Sequence, residues 1–369
     1  MVVIAGLILL TGYIGLHIYI YRRLLLGGGL TGSSAFLLKI LIVVLPLLFP
    51  LARVLARFSI NRFTYFVDWV GSLWMGVSFY MFLCLLIGHL LIFLARIPLN
   101  YHLFITVIAL AFAVLISAYA VYEAYRPAGV TRLEVTPKKL PPELDGFKIV
   151  HISDLHGGVL ADAGYTRRIV EQVNSLSPNL ILFTGDLLDE RPELVDDIFQ
   201  ELRRLRAPHG VLASTGNHEY YVGLKEVVKR AEEAGIKFLR NEKVMIANNL
   251  LVYGIDDPDK KRMGGRIFSF DEVIGKEALS QPTVLLYHRP RSIEKAAPLG
   301  VDLMLCGHTH NGQMFPWKYI VKLFFPRIKG AFRYGDCLMY VTGGIGFWGP
   351  PMRFLAPREI VLIVFRRQI

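Results

Sequence analysis

The chain has 369 residues, 53% of them hydrophobic, a formal charge of +11 and a mean hydropathy of +0.44. Two domains fit that length, the hydropathy is high for a soluble protein, and the charge asks for a negative neighbour: phospholipid headgroups, nucleic acid or a phosphorylated substrate. Three scattered cysteines, Cys84, Cys306 and Cys337, are too few for a disulfide framework, and the absence of Cys-x-x-Cys argues against a thiolate zinc site.

Residues 2–21 are uncharged and about long enough to cross a bilayer, which takes roughly 20 residues. Residues 35–51 form a second apolar run, weakened by Lys39, Pro46 and Pro50, that reads as a span or as a re-entrant or interfacial segment. Residues 69–95 and 103–122 are uncharged throughout and too long for ordinary core helices. The expectation is an all-α transmembrane domain of about four helices over residues 1–125. No Lys or Arg precedes the first run, which argues against a cleavable signal peptide. With the N-terminus inside, seven Lys or Arg flank the spans on the cytoplasmic side and four on the other, which favours a cytoplasmic C-terminal domain by a narrow margin. His17 and His89 lie inside apolar runs, where an ionisable group is either functional or packed against a neighbouring helix. The helices carry no pore or transport motif and read as an anchor or a lipid-access platform.

Residues 126–145 turn polar and bring Pro127, Pro137, Pro141 and Pro142, so they read as a linker, with residues 146–369 as the second domain. That domain opens with a predicted strand at 148–153, apolar and β-branched, broken by Gly157-Gly158. Helices at 166–175, 193–205 and 224–234 then alternate with strands at 180–184 and 211–215. The later rhythm is β-rich, with strands at 237–239, 243–247, 249–254, 283–287, 303–306, 338–341 and 360–365. Repeated strand–helix units imply a sheet covered by helices, with sites beyond the carboxyl ends of its strands.

Five of these strand ends carry chemistry: Asp154-Leu155-His156, Gly185-Asp186, Gly216-Asn217-His218, His288 and Gly307-His308-Thr309-His310. In an extended backbone Asp154 and His156 project together, and a carboxylate beside an imidazole makes half a site for a divalent metal. Each piece alone has an ordinary reading as a turn, a helix cap or a packed histidine. Five coincident strand ends do not.

In order and spacing these motifs resemble the calcineurin-like metallophosphoesterase superfamily, over about residues 146–369. The tail from Gly343-Gly344-Ile345-Gly346 to Arg353, with Pro357-Arg358-Glu359-Ile360, resembles the branch of membrane-associated bacterial phosphohydrolases. The resemblance implies a four-layer α/β/β/α sandwich with two divalent metals at one edge. Asp154, His156 and His310 would hold the first; Asn217, His288 and His308 would hold the second, and Asp186 would bridge both. It further implies that a hydroxide bridging the pair attacks a phosphoryl group, while His218 protonates the leaving alkoxide. Extended backbone would set His308 and His310 about 6–7 Å apart, enough to serve different metals. Nitrogen and oxygen donors without thiolate suit Mn, Fe, Zn, Co or Ni.

Glu219 or Asp189 could orient His218, or be ordinary solvated or capping carboxylates. Arg289 and Arg291 are candidates for substrate phosphate against plain surface charge, and Asp256-Asp257-Pro258 reads as a turn. In residues 315–327 aromatics interleave with Lys and Arg, which fits either an interfacial segment on the bilayer or a buried amphipathic helix. These readings together describe a membrane-anchored two-metal phosphohydrolase acting on phosphodiesters or pyrophosphates. A lipid-linked substrate such as UDP-diacylglucosamine is one candidate, by resemblance. The rivals are a sensor or transporter regulated by a phosphoesterase domain and a nuclease; no nucleic-acid-binding motif supports the last.

Overall fold

The computed structural model describes residues 2–275 and 280–367, with side chains described from Leu10 onward apart from Arg262. These residues form two compact units. One runs to Tyr122 and includes Gly349–Met352; the other comprises Glu123–Trp348 and the chain from Arg353.

The first unit contains helices α1 (Val2–Gly28), α2 (Gly32–Ala56), α3 (Arg62–Leu94) and most of α4 (His102–Tyr125). Among the described residues, Gly32–Ala56, Arg62–Leu94 and Leu99–Tyr125 are long and apolar enough to cross a membrane. The apolarity of residues 2–21 rests on side chains that lie partly outside the described residues. Helix α2 carries Pro46 and Pro50 without breaking, and at 1.5 Å per residue its length is about 37 Å, more than a hydrocarbon core of roughly 30 Å. Phe36, Val43 and Leu47 on its surface are exposed, which suits contact with lipid rather than water. Asn61 starts α3 by accepting from the backbone N–H groups of Phe63 and Thr64 at 2.9 and 3.1 Å.

Several polar groups inside this unit are partnered, although the buried Tyr13 hydroxyl is not. Trp74 Nε1 donates to His17 Nε2 at 3.0 Å, and the Tyr19 hydroxyl lies 3.3 Å from His89 Nδ1. Arg53 pairs with the buried Asp68, which also accepts from Ser72 at 2.9 Å. An unpaired polar group in hydrocarbon costs several kcal/mol, so both histidines are accounted for as contacts between helices.

The second unit opens with β1 (Gly129–Val135), β2 (Lys148–Ile152), α5 (Ala163–Ser175), β3 (Leu180–Thr184), α6 (Asp196–Leu202), β4 (Val211–Ser214), α7 (His218–Val222), α8 (Leu224–Glu233) and β5 (Ile236–Phe238). It continues with β6 (Glu242–Ile246), β7 (Leu250–Gly254), α9 (Phe270–Ile274), β8 (Thr283–Leu286), α10 (Ile293–Ala296), β9 (Leu303–Cys306), α11 (Trp317–Phe324), β10 (Gly330–Tyr334), β11 (Cys337–Val341) and β12 (Glu359–Phe365). Two six-stranded sheets result, ordered β1-β12-β2-β3-β4-β5 and β10-β11-β9-β8-β7-β6. Strand pairs are parallel except β12–β2, β10–β11 and β6–β7.

Period-two alternation sets the layers. Ile149, Leu180 and Leu182 of the first sheet share a core with Val252, Leu286 and Leu305 of the second. The opposite faces of the second sheet's strands, with Leu285, Met304 and Cys306, pack on Ile274 of α9 and Ile293 of α10. Helices α5 and α6 bury Ile169, Val173, Ile198 and Phe199 on their apolar sides, and α8 packs on β5. This is the expected α/β/β/α arrangement. A fully buried aliphatic side chain contributes about 1.5–3 kcal/mol, so the many aliphatic side chains of the two-sheet core are a large stabilising contribution.

Three expectations change. Residues 126–145 are not merely a linker: they supply β1, which pairs with β12 from Gly129↔Glu359 to Val135↔Phe365. The helix expected at 193–205 shortens to α6, because Pro192 opens a separate single turn and Val195 leaves helical backbone at φ −133°. Of the two readings of 315–327, the buried amphipathic helix is not met, since no residue of α11 is buried. The three cysteines are free thiols, with Cys306 and Cys337 buried as structural side chains. The end of the expected domain, residues 368–369, lies outside the described residues.

Candidate metal centre

Strands β2, β3 and β4 end side by side, as do β8 and β9 in the other sheet. Backbone pairing continues past the first two: the N–H groups of Asp154, His156 and Gly157 donate to the carbonyls of Gly185, Asp186 and Leu187 at 3.0, 3.0 and 2.9 Å. The chain there is not extended, contrary to expectation. Asp154, His156, Asp186, His308 and His310 have φ of 58°, 50°, 55°, 72° and 49°. Each such residue costs on the order of 1–3 kcal/mol and persists only where the surroundings impose it. Left-handed turns, not alternation along a strand, therefore bring the paired side chains inward.

Two glycines let the loops close. A Cβ on Gly216 would lie 2.2 Å from Asp186 Oδ1, and one on Gly307 would lie 2.0 Å from Ser153 Oγ and 2.3 Å from Asp154 Oδ2. No larger residue leaves room for the carboxylates.

The predicted site residues converge in two groups. In one, His310 Nε2 lies 2.9 Å from His156 Nε2 and 3.4 Å from Asp154 Oδ1. In the other, His288 Nε2 lies 3.1 Å from both His308 Nδ1 and Asp186 Oδ2. The same Asp186 Oδ2 is 3.8 Å from His156 Nε2, so one carboxylate oxygen faces both groups. Asp186 Oδ1 accepts the His218 N–H at 2.9 Å, tying the Asn217-His218 turn to the centre. Asn217 Oδ1 is buried with no hydrogen-bond partner. An orphaned carbonyl oxygen costs about 1–3 kcal/mol, and a cation would satisfy it. Facing imidazole nitrogens backed by carboxylates are likewise a donor set for a divalent metal.

His218 stands beside this set, its ring 4.6 Å from that of His156. Asp189 Oδ1 lies 2.8 Å from His218 Nδ1 and 2.6 Å from His156 Nδ1. Burial alone lowers the His218 pKa, but the carboxylates of Asp189 and Asp186 outweigh it and raise it to about 9. Burial also disfavours ionised Asp189, yet the two imidazoles hold it below the usual carboxylate range. Of the two candidates for orienting His218, Asp189 is therefore the one in place.

A scan against family models matches residues 147–312 to the calcineurin-like phosphoesterases. A metallophosphoesterase of Aquifex aeolicus (strain VF5) is 35% identical over 257 residues, covering 69% of this chain and 97% of that one. The chain belongs to the calcineurin-like phosphoesterase family. A metallophosphoesterase of Helicobacter pylori (strain J99) is 34% identical over 66% of this chain and 65% of its own length. A Danio rerio relative, described as a transmembrane protein with metallophosphoesterase domain, is 30% identical over 71% of this chain and 63% of its own. The chain thus spans about two thirds of the length of both.

Within this metallophosphoesterase domain, Glu219 is no solvated carboxylate. It is fully buried and accepts the N–H groups of Asp186, Leu187 and Gly216 at 3.0, 2.6 and 2.6 Å, clamping the loops after β3 and β4. Glu219→Ala would orphan those donors at a cost of about 3 kcal/mol. The Tm of the detergent-solubilised chain is expected to fall by roughly 6–12 °C; a Tm that does not move would remove the clamp.

Arg289 and Arg291 are both engaged by the protein. Arg289 donates to Asp257 at 2.7 and 2.9 Å and pairs with Asp259 at 3.1 Å, and Arg291 lies over the Phe325 ring. The predicted turn at Asp256-Asp257-Pro258 is a buried acidic corner, where Asp256 holds Arg240 and Lys260 at 3.2 and 2.7 Å. Sequence reasoning missed Arg353 as a site neighbour. It is fully buried, donates to the carbonyls of Gly346, Gly343 and Ala356 at 2.7, 2.8 and 3.0 Å, and reaches His310 Nδ1 at 3.0 Å. Burial brings its pKa down to about 10. An arginine has only donors, so this contact leaves the proton of a neutral His310 on Nε2, and ligation through Nε2 would displace the contact. Its signal in the sequence was one arginine in the glycine-rich tail, with nothing to say where it pointed.

Proposed function

We propose that the protein is a membrane-anchored phosphohydrolase that uses two divalent metals to cleave phosphodiester or pyrophosphate bonds. Asp154, His156 and His310 would hold one metal, Asn217, His288 and His308 the other, and Asp186 would serve both. The observation that carries this reading is the Asp186 oxygen facing His156 and His288 at once. The orphaned Asn217 oxygen supports it, because asparagine offers a neutral donor where a further carboxylate would add repulsion. Held there, divalent cations would draw charge from the phosphoryl oxygens and make water a better nucleophile.

The protein's own residues do the rest. His218 carries a proton near neutral pH and can pass it to the departing oxygen; Asp189 fixes its ring and favours the charged form. The left-handed turns keep the donor set preorganised, so little reorganisation is left for the reaction. Four spans, with the catalytic domain in the cytoplasm, complete the proposal. A lipid-linked phosphoester would meet an enzyme anchored in this way, and UDP-diacylglucosamine is one compound of that class.

The test is hydrolysis by the full chain reconstituted in lipid. Turnover of bis-p-nitrophenyl phosphate that requires Mn, Zn or Co and is abolished by chelation is the expected result. Lipid phosphoesters should be cleaved in preference to DNA. Metal-independent activity, or preferential degradation of DNA, would overturn the reading.

A further inference from the structure

Helix α11 presents a largely exposed apolar face. Tyr319, Ile320, Leu323 and Phe324 are 56%, 47%, 79% and 64% exposed, and Trp317 is 38% exposed. At 100° per residue these side chains share an arc of about 160°, with Lys318 and Lys322 along its border. Large apolar groups gathered on one exposed face mark a contact surface.

Charge decides the partner. Residues 315–335 contain five Lys or Arg and no Asp or Glu; Arg327 and Lys329 pair with Glu294 and Glu359, while α11 itself contributes Lys318 and Lys322 and no acid. Lys318 lies 5.4 and 5.2 Å over the Phe315 and Tyr319 rings, an arrangement that keeps its ammonium beside the apolar face. An apolar face carrying aromatics and bordered by lysines is the composition of a helix lying among anionic headgroups. Connectivity supplies the surface: the chain leaves the apolar segment Leu99–Tyr125 and enters β1 at Gly129. Covalent attachment so close to a span keeps lipid at high effective concentration.

The helix is also fixed to the candidate metal centre. The Phe325 ring packs against that of His308 at 4.8 Å, and Arg291 lies 4.4 Å over Phe325 while donating to the Phe324 carbonyl at 3.3 Å. On the other side of the loop, Gln313 exchanges bonds of 2.8 and 2.9 Å with the backbone of Trp348. Trp348 is 59% exposed and its ring stands 6.2 Å from that of His218.

We propose that α11 docks in the headgroup layer of an anionic phospholipid bilayer and holds the mouth of the metal centre against the lipid surface. Only the identity of what the docked centre meets, phosphoesters at that surface, rests on the function proposed above.

The test uses the full chain in vesicles, with Asp186→Asn to prevent turnover and Cys84→Ser to leave only buried native thiols. A fluorophore is placed at Leu323→Cys, with Phe324→Cys as a second reporter of the same face and Met245→Cys on β6 as a control. In phosphatidylglycerol vesicles, the labels on α11 should be quenched by nitroxide-bearing lipid and shielded from aqueous iodide, unlike the control. Lys318→Gln and Lys322→Gln should each weaken docking about fivefold, the scale of one basic residue at an anionic surface. Iodide quenching equal to the control would overturn the proposal. So would shielding from both quenchers, which would mean a protein contact. Because the reporter chain does not turn over, docking without hydrolysis by the unlabelled enzyme would sink the proposed function alone, and hydrolysis without docking would sink this inference alone.

Discussion

Asp186→Asn is expected to lower hydrolysis of bis-p-nitrophenyl phosphate by about 10³-fold or more and to weaken metal binding by at least about 100-fold. Both effects follow from one atom. Asp186 Oδ2 faces both donor groups, 3.1 Å from His288 and 3.8 Å from His156. Burial opposes its ionisation, but the imidazoles of His288 and His218 hold its pKa well below the usual carboxylate value. Asparagine keeps the shape and removes the charge. It also keeps an acceptor for the His218 N–H, so the loop should survive. Metal content measured by mass spectrometry, alongside kcat, separates lost metal from lost chemistry. A variant that retains its metal content and full activity would rule out the shared role proposed for Asp186.

The second large effect falls on His218. His218→Gln should reduce cleavage of an alkyl phosphodiester by about 10²–10⁴-fold, the range for loss of a general acid. A p-nitrophenyl ester, whose leaving group needs little protonation, should lose less than about tenfold. Asp189→Asn should fall between, since it keeps an acceptor beside the His218 ring but removes the largest charge raising the His218 pKa. Comparing kcat for the two substrates is the decisive measurement. Equal losses on both would mean that His218 positions substrate rather than protonating the leaving group.

Much of this architecture was legible from the strand ends. Asp154, Asp186, Asn217, His288 and His308 each follow an apolar run, and parallel strands bring such ends together whatever lies between them. The backbone that aims them was not legible. A left-handed φ at a non-glycine residue leaves no mark in a sequence, because the strain is imposed by loops that arrive from elsewhere. Strands β1 and β10 were hidden for a different reason. Both are sheet edges with solvent on one side, so their residues lack the continuous apolar runs of β3 or β8. Asp189 and Glu219 were visible as carboxylates, but only their partners separate them: two imidazoles for one, three backbone N–H groups for the other. The aromatic and basic composition at 315–327 left two readings open, and a helix with no buried residue does not fit the buried one.

The position of β12 bears on how the molecule is made. It lies between β1 and β2, and β1 has no other neighbour in its sheet. A ribosome must therefore have passed Phe365 before the earliest strand can find its mate, by which time every apolar helix has long since emerged. During synthesis the nascent chain is a set of apolar helices trailing an unfinished sheet, with the strand ends of the candidate metal centre still waiting for their final seam.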